Sequence, residues 1–223
     1  MIYHFGEYSR VESSYEDYPL VMENNLGSFS HILLFAKKYN SKKVYSGSST
    51  KFADSFGGPE ASPYSFTKDV NTKHLVNYAK WFGINFAIVY FYNIYGGREI
   101  ANGKYATLIG KYKKMISKGI KELPVVSPGT QLRYFTHYTD VVKGLCLVGD
   151  KGDGDNFGIG SDECFSVLDV VEILGCTPKM VPARPGNRLS GELVVDKTKD
   201  LGWKAMSSLP IELKNFQELI SKD

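Results

Sequence analysis

At residues 62–68 the chain reads Ser-Pro-Tyr-Ser-Phe-Thr-Lys, and the run that follows predicts a helix beginning at this point. Tyr64 and Lys68 are one helical turn apart, so the phenol and the ammonium project from the same face. A tyrosine has a pKa of about 10, and a neighbouring cation favours the phenolate and lowers that pKa. The pair could therefore move a proton. The same spacing also occurs where an aromatic ring packs at a helix start beside a solvated lysine, so the flanking sequence has to decide.

Two strands predicted on either side of this helix end in polar side chains. Residues 43–50, Lys-Val-Tyr-Ser-Gly-Ser-Ser-Thr, form a short β-prone run that ends in hydroxyls. Residues 85–96 form a second run, which ends in Asn-x-Tyr-Gly. In this order the three motifs resemble the extended short-chain dehydrogenase/reductase family, in particular its NAD-dependent nucleotide-sugar epimerases and dehydratases. The resemblance implies an α/β fold, a partial Rossmann-like doubly wound parallel sheet with a smaller C-terminal substrate-binding lobe.

The resemblance implies a catalytic role for three residues. Tyr64 would take the proton from a sugar 4-hydroxyl while hydride leaves for the nicotinamide. Lys68 would lower the pKa of Tyr64 and hold a ribose hydroxyl. Ser48 would orient the sugar hydroxyl that is oxidised. Thr50, two residues after Ser48, and Asn93, at the end of the second strand, are implied contacts to the same substrate.

NAD is the implied cofactor, and six residues match family positions that contact it. They are Phe5, Gly6, Asn24, Tyr64, Lys68 and Tyr92. The first two end a predicted strand, His-Phe-Gly, that would pass beneath the nicotinamide. Asn24 opens Asn-Asn-Leu-Gly-Ser, where the family has Asn-x-x-Gly-Thr, in a helix predicted over 18–38. Without the family, residues 2–5 are a simple edge strand and Asn24 is equally a surface polar residue.

One element of a dinucleotide-binding fold is absent from the sequence. Such a fold begins with a strand, a glycine-rich turn and a helix whose N-terminus receives the pyrophosphate. No Gly-x-x-Gly-x-x-Gly occurs in the 223 residues, and the chain enters the family pattern at about its fourth strand. We therefore expect the isolated chain to bind NAD weakly or not at all. The sequence leaves open a fragment, a split-gene product and a natural truncation.

Two arginine motifs resemble the family's contacts to the diphosphate of a nucleotide sugar. Residues 125–140 match Gly-x-x-x-Arg-x-x-x-His-Val-x-Asp, which puts Arg133 on the diphosphate. A guanidinium suits this role because it can donate two parallel hydrogen bonds to phosphate oxygens. Residues 179–188 match Arg-x-Gly-Asp, in which Arg184 would make a second contact. Asn187 replaces the aspartate that meets the nucleotide ribose, and so keeps an acceptor but loses a charge.

The motifs divide the chain into two predicted parts. Residues 1–97 correspond to the C-terminal portion of a Rossmann-like NAD-binding domain that carries the Tyr-x-x-x-Lys motif. Residues 98–223 correspond to a substrate-binding lobe, from which segments at about 135–160 return to the sheet domain. A homodimer through the helices predicted at 18–38 and 63–82 is the expected assembly.

The composition narrows the range of functions. A net charge of +3 with dispersed basic residues leaves no stripe for binding nucleic acid. No apolar run is long enough to cross a bilayer, and no secretory signal opens the sequence. Cys146, Cys164 and Cys176 lack the spacing of metal ligands and suit a reducing compartment. We expect a cytoplasmic protein without a metal site.

The favoured activity is the 4-epimerisation of a nucleotide sugar, either a UDP-hexose or a UDP-N-acetylhexosamine. A 4,6-dehydratase would need an acidic pair beside the Ser-x-Thr motif, where this chain has Ser49, Thr50 and Lys51. Three alternatives stay open. One is a dehydratase or reductase of the same family, one is a catalytically silent protein that binds a nucleotide sugar, and one is a subunit completed by another chain.

Overall fold

The computed structural model describes residues 1–52, 58–183 and 191–221. In chain order the strands are β1 (Ile2–His4), β2 (Lys43–Ser46), β3 (Phe86–Phe91), β4 (Asn93–Tyr95), β5 (Glu122–Val126), β6 (Leu132–His137), β7 (Gly154–Ile159), β8 (Cys164–Ser166) and β9 (Thr177–Val181). The α-helices are α1 (Tyr18–Met22), α2 (Phe29–Lys38), α3 (Pro63–Phe82), α4 (Leu108–Ile116), α5 (Tyr138–Lys151), α6 (Val167–Ile173), α7 (Asp196–Asp200) and α8 (Leu209–Ile220).

A parallel sheet of four strands in the order β1-β2-β3-β7 carries the elements of the candidate site. Successive side chains of a strand point to opposite faces, and here Tyr45 and Ile88 face α2 and α3, whereas Val44 and Val89 face α5. Both faces are therefore covered, which explains why β3, Phe-Ala-Ile-Val-Tyr-Phe, reads as a continuous apolar run. The predicted α/β class with a doubly wound parallel sheet is confirmed.

The helix α3 begins and ends where the sequence predicts. Ser62 Oγ accepts a hydrogen bond from the backbone N–H of Ser65 at 3.1 Å. Pro63 takes the first helical position, where a backbone N–H would have no helical partner. Gly83 ends the helix in the left-handed conformation, with a φ of +67°, which favours glycine. These two ends fix the position of the Tyr-x-x-x-Lys motif in the first turns of the helix.

A second hydrophobic core lies among α4, α6, α8 and β5. Its fully buried members include Ile109, Tyr112, Leu123, Val170 and Leu213. Two smaller sheets belong to this part of the chain, β4-β6-β8 and β5-β9. The strand β7, by contrast, pairs with β3 in the four-stranded sheet, and α5 packs on that sheet. The division of the chain at residue 97 stays a prediction.

Residues 18–38 are helical almost throughout, as predicted, but the prediction of one uninterrupted α-helix is wrong. A π-helical turn at Glu23–Gly27 separates α1 from α2. In this turn Asn25 is buried, and its Oδ1 accepts a hydrogen bond from the backbone N–H of Tyr8 at 2.7 Å. Asn24 is exposed on the same turn. Apolar periodicity does not reveal this irregularity because the group that Asn25 satisfies lies in a loop 17 residues away along the chain.

Candidate active site

A cavity of about 250 Å³ lies where β2 and β3 end, beside the first turn of α3. Ser48 and Thr50 reach it from the turn after β2, and Asn93 lines it from the start of β4, just after β3 ends. Tyr64 lines it from α3, and Arg133 lines it from β6. The structure therefore brings together five residues that the sequence motifs selected from four separate segments.

A second cavity, of about 600 Å³, shares Asn93 and Arg133 with the first, so the two form one cleft. The larger part is lined by basic side chains, namely Arg10, Lys104 and Lys111, together with the acidic Glu12. The cleft thus has hydroxyls and a phenol at one end and several cations at the other. A ligand that combines a sugar with phosphate groups matches this polarity.

The hydroxyl of Ser48 is held by its neighbour. Thr50 donates to Ser48 Oγ through its own hydroxyl at 2.8 Å and through its backbone N–H at 3.3 Å. Because these bonds use the lone pairs of Ser48 Oγ, the hydroxyl proton of Ser48 remains to be donated to another acceptor. Ser48 is largely buried and lines the cavity beside Tyr64.

The ammonium of Lys68 is paired with a carboxylate that the sequence motifs do not include. Lys68 Nζ lies 2.5 Å from Glu7 Oε2, and the two side chains are 6% and 1% exposed. Lys68 Nζ also donates to the backbone carbonyl of Ser46 at 2.6 Å. The lysine of the Tyr-x-x-x-Lys motif is thus fixed between the loop after β1 and the end of β2.

Two further donors surround the Glu7 carboxylate. Tyr45 OH donates to Oε2 at 3.0 Å, and Asn71 Nδ2 donates to Oε1 at 2.9 Å. Burial, and next the charge of Glu7, raises the pKa of Tyr45, so Tyr45 stays a hydrogen-bond donor throughout the neutral range. The electrostatic influence of Tyr64 also reaches Tyr45. Both carboxylate oxygens of Glu7 are therefore occupied inside the protein.

Arg10 lines the larger part of the cleft. Its Nη2 donates to the backbone carbonyl of Tyr105, and its Nε is buried without a hydrogen-bond partner in the described part of the chain. Burial lowers the pKa of Arg10, while Tyr64 and Tyr105 act in the opposite direction. A guanidinium stays charged at any relevant pH, so Arg10 places a positive charge near Tyr64.

The residues predicted to contact a cofactor lie in different settings. Phe5 is 44% exposed and packs near the ring of Phe91, and a Cβ added to Gly6 would meet no atom within 4 Å. Asn24 is exposed on the π-helical turn. Tyr92 is buried; its hydroxyl donates to the carbonyl of Glu192 at 3.0 Å and accepts from Val194 N–H at 2.7 Å. The cofactor roles of these four residues stay predictions.

Three residues are predicted to contact the diphosphate or the ribose of the nucleotide, and the structure describes one of them. Arg133 lines both parts of the cleft and donates from Nη1 to the carbonyl of Leu132 at 2.7 Å. Arg184 and Asn187 lie outside the described residues. Of these three residues, Arg133 is the one that lies in the described part of the chain and lines the cleft.

The motifs missed Glu7, Arg10 and Asn71. Asn71 carried a usable signal, because Tyr64, Lys68 and Asn71 are spaced as i, i+4 and i+7 and so share one helix face. Glu7 and Arg10 follow β1 in an irregular loop, and nothing in its pattern shows which distant residues it meets. Their contacts lie 61 residues away, at Lys68, and 95 residues away, at Tyr105.

The described residues hold neither a cluster of metal ligands nor a helix that could span a membrane. In the ranges 1–52, 58–183 and 191–221, no group of His, Cys, Asp and Glu is arranged to hold a metal ion. No helix within the same ranges is long and apolar enough to cross a membrane.

A comparison with known protein families shows which family the chain belongs to. Residues 1–160 match the family model described as the NAD dependent epimerase/dehydratase family. That match takes in β1 to β7, and with them the whole four-stranded sheet and α3. The chain belongs to the NAD-dependent epimerase/dehydratase family, which confirms the family resemblance drawn from the three sequence motifs.

Individual relatives are nucleotide-sugar enzymes by name. The chain is 31% identical over 137 residues to a UDP-glucose epimerase of Bacillus subtilis described as uncharacterized, with 60% of this chain and 42% of that protein covered. It is 28% identical over 149 residues to a putative UDP-glucose 4-epimerase of Methanocaldococcus jannaschii, with 64% and 48% covered. The chain thus spans less than half the length of these two relatives.

A solved structure gives the same fold. The UDP-glucose 4-epimerase of Thermotoga maritima, crystallised with UDP-glucose, superposes with a TM-score of 0.87 at 24% identity. The superposition covers 99% of this chain and 76% of that protein. This likeness supports the doubly wound architecture of the whole described chain.

Proposed function

We propose that this chain is the catalytic and substrate-binding part of an NAD-dependent nucleotide-sugar 4-epimerase that acts on a UDP-hexose or a UDP-N-acetylhexosamine. The observation that carries the proposal is the single cleft that joins Tyr64, Ser48 and Asn93 to Arg133. One end of this cleft suits a sugar hydroxyl that loses a proton, and the other end suits a diphosphate.

The side chains have separate tasks in this proposal. Tyr64 accepts the proton of the sugar 4-hydroxyl, and Ser48 donates its remaining hydroxyl proton to the same substrate oxygen. Thr50 keeps Ser48 in the required orientation, because it occupies the lone pairs of Ser48 Oγ. Arg133 binds the diphosphate, since its guanidinium can donate paired hydrogen bonds to phosphate oxygens.

The residues near the end of β1 fit the nicotinamide end of NAD. The surface above Gly6 is open and the ring of Phe5 is partly exposed, so a flat ring has space there. Lys68 uses two of its three protons on Glu7 and Ser46, which leaves one for a ribose hydroxyl. NAD supplies the hydride acceptor that no side chain provides.

The lining of the smaller cavity favours an epimerase over a dehydratase. No acidic side chain is found among its described lining residues. Lys51, beside the Ser-x-Thr motif, turns to Asp155 on β7 and forms an ion pair with it at 2.6 Å. A dehydratase needs a carboxyl group near the sugar to eliminate water, and Asp155 is occupied by this ion pair and by Tyr90.

A second candidate function is a subunit completed by another chain, or a silent protein that binds a nucleotide sugar. The 223 residues contain no glycine-rich turn, and in this candidate another chain supplies that turn or NAD is not bound. The same cleft would then bind the nucleotide sugar without turnover. Binding experiments alone do not separate this candidate from the enzyme, whereas turnover does.

The proposal extends to the assembly and setting of the protein. Exposed apolar rings on α2 and α3 support a homodimer through these helices. They include Phe35, Phe66, Trp81 and Phe82. We further place the protein in the cytoplasm, where nucleotide sugars are its only proposed partners besides NAD and a second copy of itself.

Calorimetric titration with UDP-glucose and UDP-N-acetylglucosamine tests the binding half of the proposal. Arg133→Ala is expected to weaken binding by about 1.5 to 3 kcal/mol, the contribution of a hydrogen bond to a charged group. This corresponds to a loss of roughly ten- to hundredfold in Kd. Uridine diphosphate alone should show the same loss, because the predicted contact is to the diphosphate.

Lys143→Ala serves as the matched control for loss of a surface cation. Lys143 lies on α5, on the opposite face of the sheet from α3, and its side chain is 68% exposed. This variant is expected to bind like the unmodified chain. Unchanged binding by Arg133→Ala would remove Arg133 from the site and contradict the proposed orientation of the ligand.

A further inference from the structure

We propose that Glu7 is a positioning residue of the candidate active site, whose carboxylate fixes the Lys68 ammonium, offsets its charge and so sets the protonation state of Tyr64. The inference rests on the proposed function, because it assigns Tyr64 as the group that exchanges a proton. It adds a carboxylate to a site for which the sequence motifs supply only a tyrosine, a lysine and hydroxyls.

The strength of the contact between Glu7 and Lys68 is the first argument. The two charged atoms are 2.5 Å apart, and neither side chain is exposed by more than 6%. A hydrogen bond between two ionised groups is short and roughly twice as strong as a neutral one. Water does not screen this pair as it would screen a surface pair, so the two charges remain coupled.

The surroundings of Glu7 leave it little freedom to move away. Tyr45 and Asn71 occupy both of its carboxylate oxygens, and the carbonyl of Ser46 holds the ammonium of Lys68 from the other side. The network joins the loop after β1, the strand β2 and the helix α3. Replacing Glu7 therefore alters the position of the Lys68 ammonium and the net charge around it more directly than it alters the packing of the neighbouring side chains.

The effect on Tyr64 follows from simple electrostatics. A lone ammonium one helical turn away would favour the phenolate, whereas an ammonium with a carboxylate at 2.5 Å presents a nearly neutral pair. Besides burial, the charges of Glu7 and of Tyr64 both raise the pKa of Tyr45, so Tyr64 lies within electrostatic range of this network. Glu7 thus opposes the ionisation of Tyr64 that Lys68 promotes.

Other charged or titratable groups face this network and have to stay constant in a test. They are His4 on β1, Lys43 and Tyr45 on β2, Arg10 in the loop after β1, Lys51 after β2 and Asp69 on α3. None of these groups is altered in the variants below. Differences in the Tyr64 titration between variants are therefore due to Glu7 and Lys68.

The test is a titration of Tyr64 by NMR in chains labelled with 13C at the tyrosine ring carbon that bears the hydroxyl. The Tyr64 signal is assigned as the one missing from Tyr64→Phe. In Glu7→Gln the midpoint of the Tyr64 titration is expected to move to lower pH, because the Lys68 ammonium then has no carboxylate to offset its charge. In Lys68→Met it is expected to move to higher pH.

A double variant, Glu7→Gln with Lys68→Met, keeps the test decisive if Glu7→Gln alone fails to fold. Its midpoint is expected to lie below that of Lys68→Met, because the unpaired carboxylate is gone. Glu122→Gln, which alters an exposed carboxylate on β5, is the control and should leave the midpoint unchanged.

Equal midpoints in the unmodified chain and Glu7→Gln, or in Lys68→Met and the double variant, would overturn the inference. A purely structural role for Glu7 predicts equal midpoints in each of these two pairs. Changes in packing alone do not move the midpoint of the Tyr64 titration in opposite directions in Glu7→Gln and Lys68→Met. The titration needs neither NAD nor a sugar. Failure of the proposed function would appear as absent sugar binding, and failure of this inference would appear as unmoved midpoints.

Discussion

Lys43 carries an ammonium group in the interior of the protein, on the same strand as Tyr45. It is fully buried, its Nζ has no hydrogen-bond partner in the described part of the chain, and it lies 3.6 Å from the centre of the Phe29 ring. Burial lowers the pKa of Lys43 to about 7, with Lys68 adding to the shift and Glu7 opposing it. The aromatic face offsets part of the cost of burying this charge.

The lowered pKa of Lys43 predicts how stability depends on pH. Between about pH 7 and pH 10 the unfolded chain binds a proton at Lys43 that the folded chain has released, so the free energy of unfolding rises with pH. From pH 7 to pH 9 the expected gain is about 2 kcal/mol. Urea unfolding at the two pH values measures it.

Lys43→Met should abolish this gain and raise the stability at pH 7, because it removes a buried charge and keeps the shape of the side chain. Lys73→Met, at an exposed position of α3, is the control and should retain the pH dependence of the unmodified chain. If Lys43→Met and the unmodified chain gained equally between pH 7 and pH 9, Lys43 would be excluded as the source.

Some site residues can be predicted from the sequence and others cannot, and the two groups differ in how far along the chain their partners lie. Tyr64, Lys68, Ser48 and Arg133 stand in local motifs of a few residues, and their order alone indicates the family. The role of Glu7 depends on Lys68, 61 residues further on. A local pattern does not encode such a contact, so only the folded chain shows it.

Among the elements, α3 has the clearest local design. Its N-terminus combines a serine cap with proline at the first position, and its C-terminus has a left-handed glycine. All three signals are local, which is why the sequence predicts both ends correctly. The interruption between α1 and α2 is the opposite case, because the buried Asn25 satisfies a loop and a hydroxyl on α3, at Thr67.

Removing the cap of α3 should destabilise the protein. Ser62→Ala deletes the acceptor of the Ser65 N–H and is expected to lower the free energy of unfolding by about 1 kcal/mol. Ser62→Asp keeps an acceptor at the same position and should recover most of the loss. Urea unfolding of both variants decides the matter, and equal stability of Ser62→Ala and the unmodified chain would show that the cap contributes nothing.

For the whole molecule, the order of the sheet agrees with the family assignment. The strand β1 pairs with β2 on one side, and no other described strand pairs with it. The solved relative with UDP-glucose is larger, since the chain covers 76% of it. The parallel sheet could be predicted through the resemblance of three motifs to the family, but the sequence contains no glycine-rich turn that would hold the pyrophosphate of NAD.

In the proposed function, Tyr64 exchanges the proton in a 4-epimerase reaction that needs bound NAD. The most direct test is the interconversion of UDP-glucose and UDP-galactose by the chain joined to the glycine-rich strand-turn-helix unit of a family member. Tyr64→Phe keeps the ring and its packing and removes the ionisable oxygen. We expect turnover by the joined protein, none by the chain alone, and a loss of at least about a hundredfold in Tyr64→Phe, the order of magnitude of general base catalysis. Equal rates with and without the Tyr64 hydroxyl would contradict the claim.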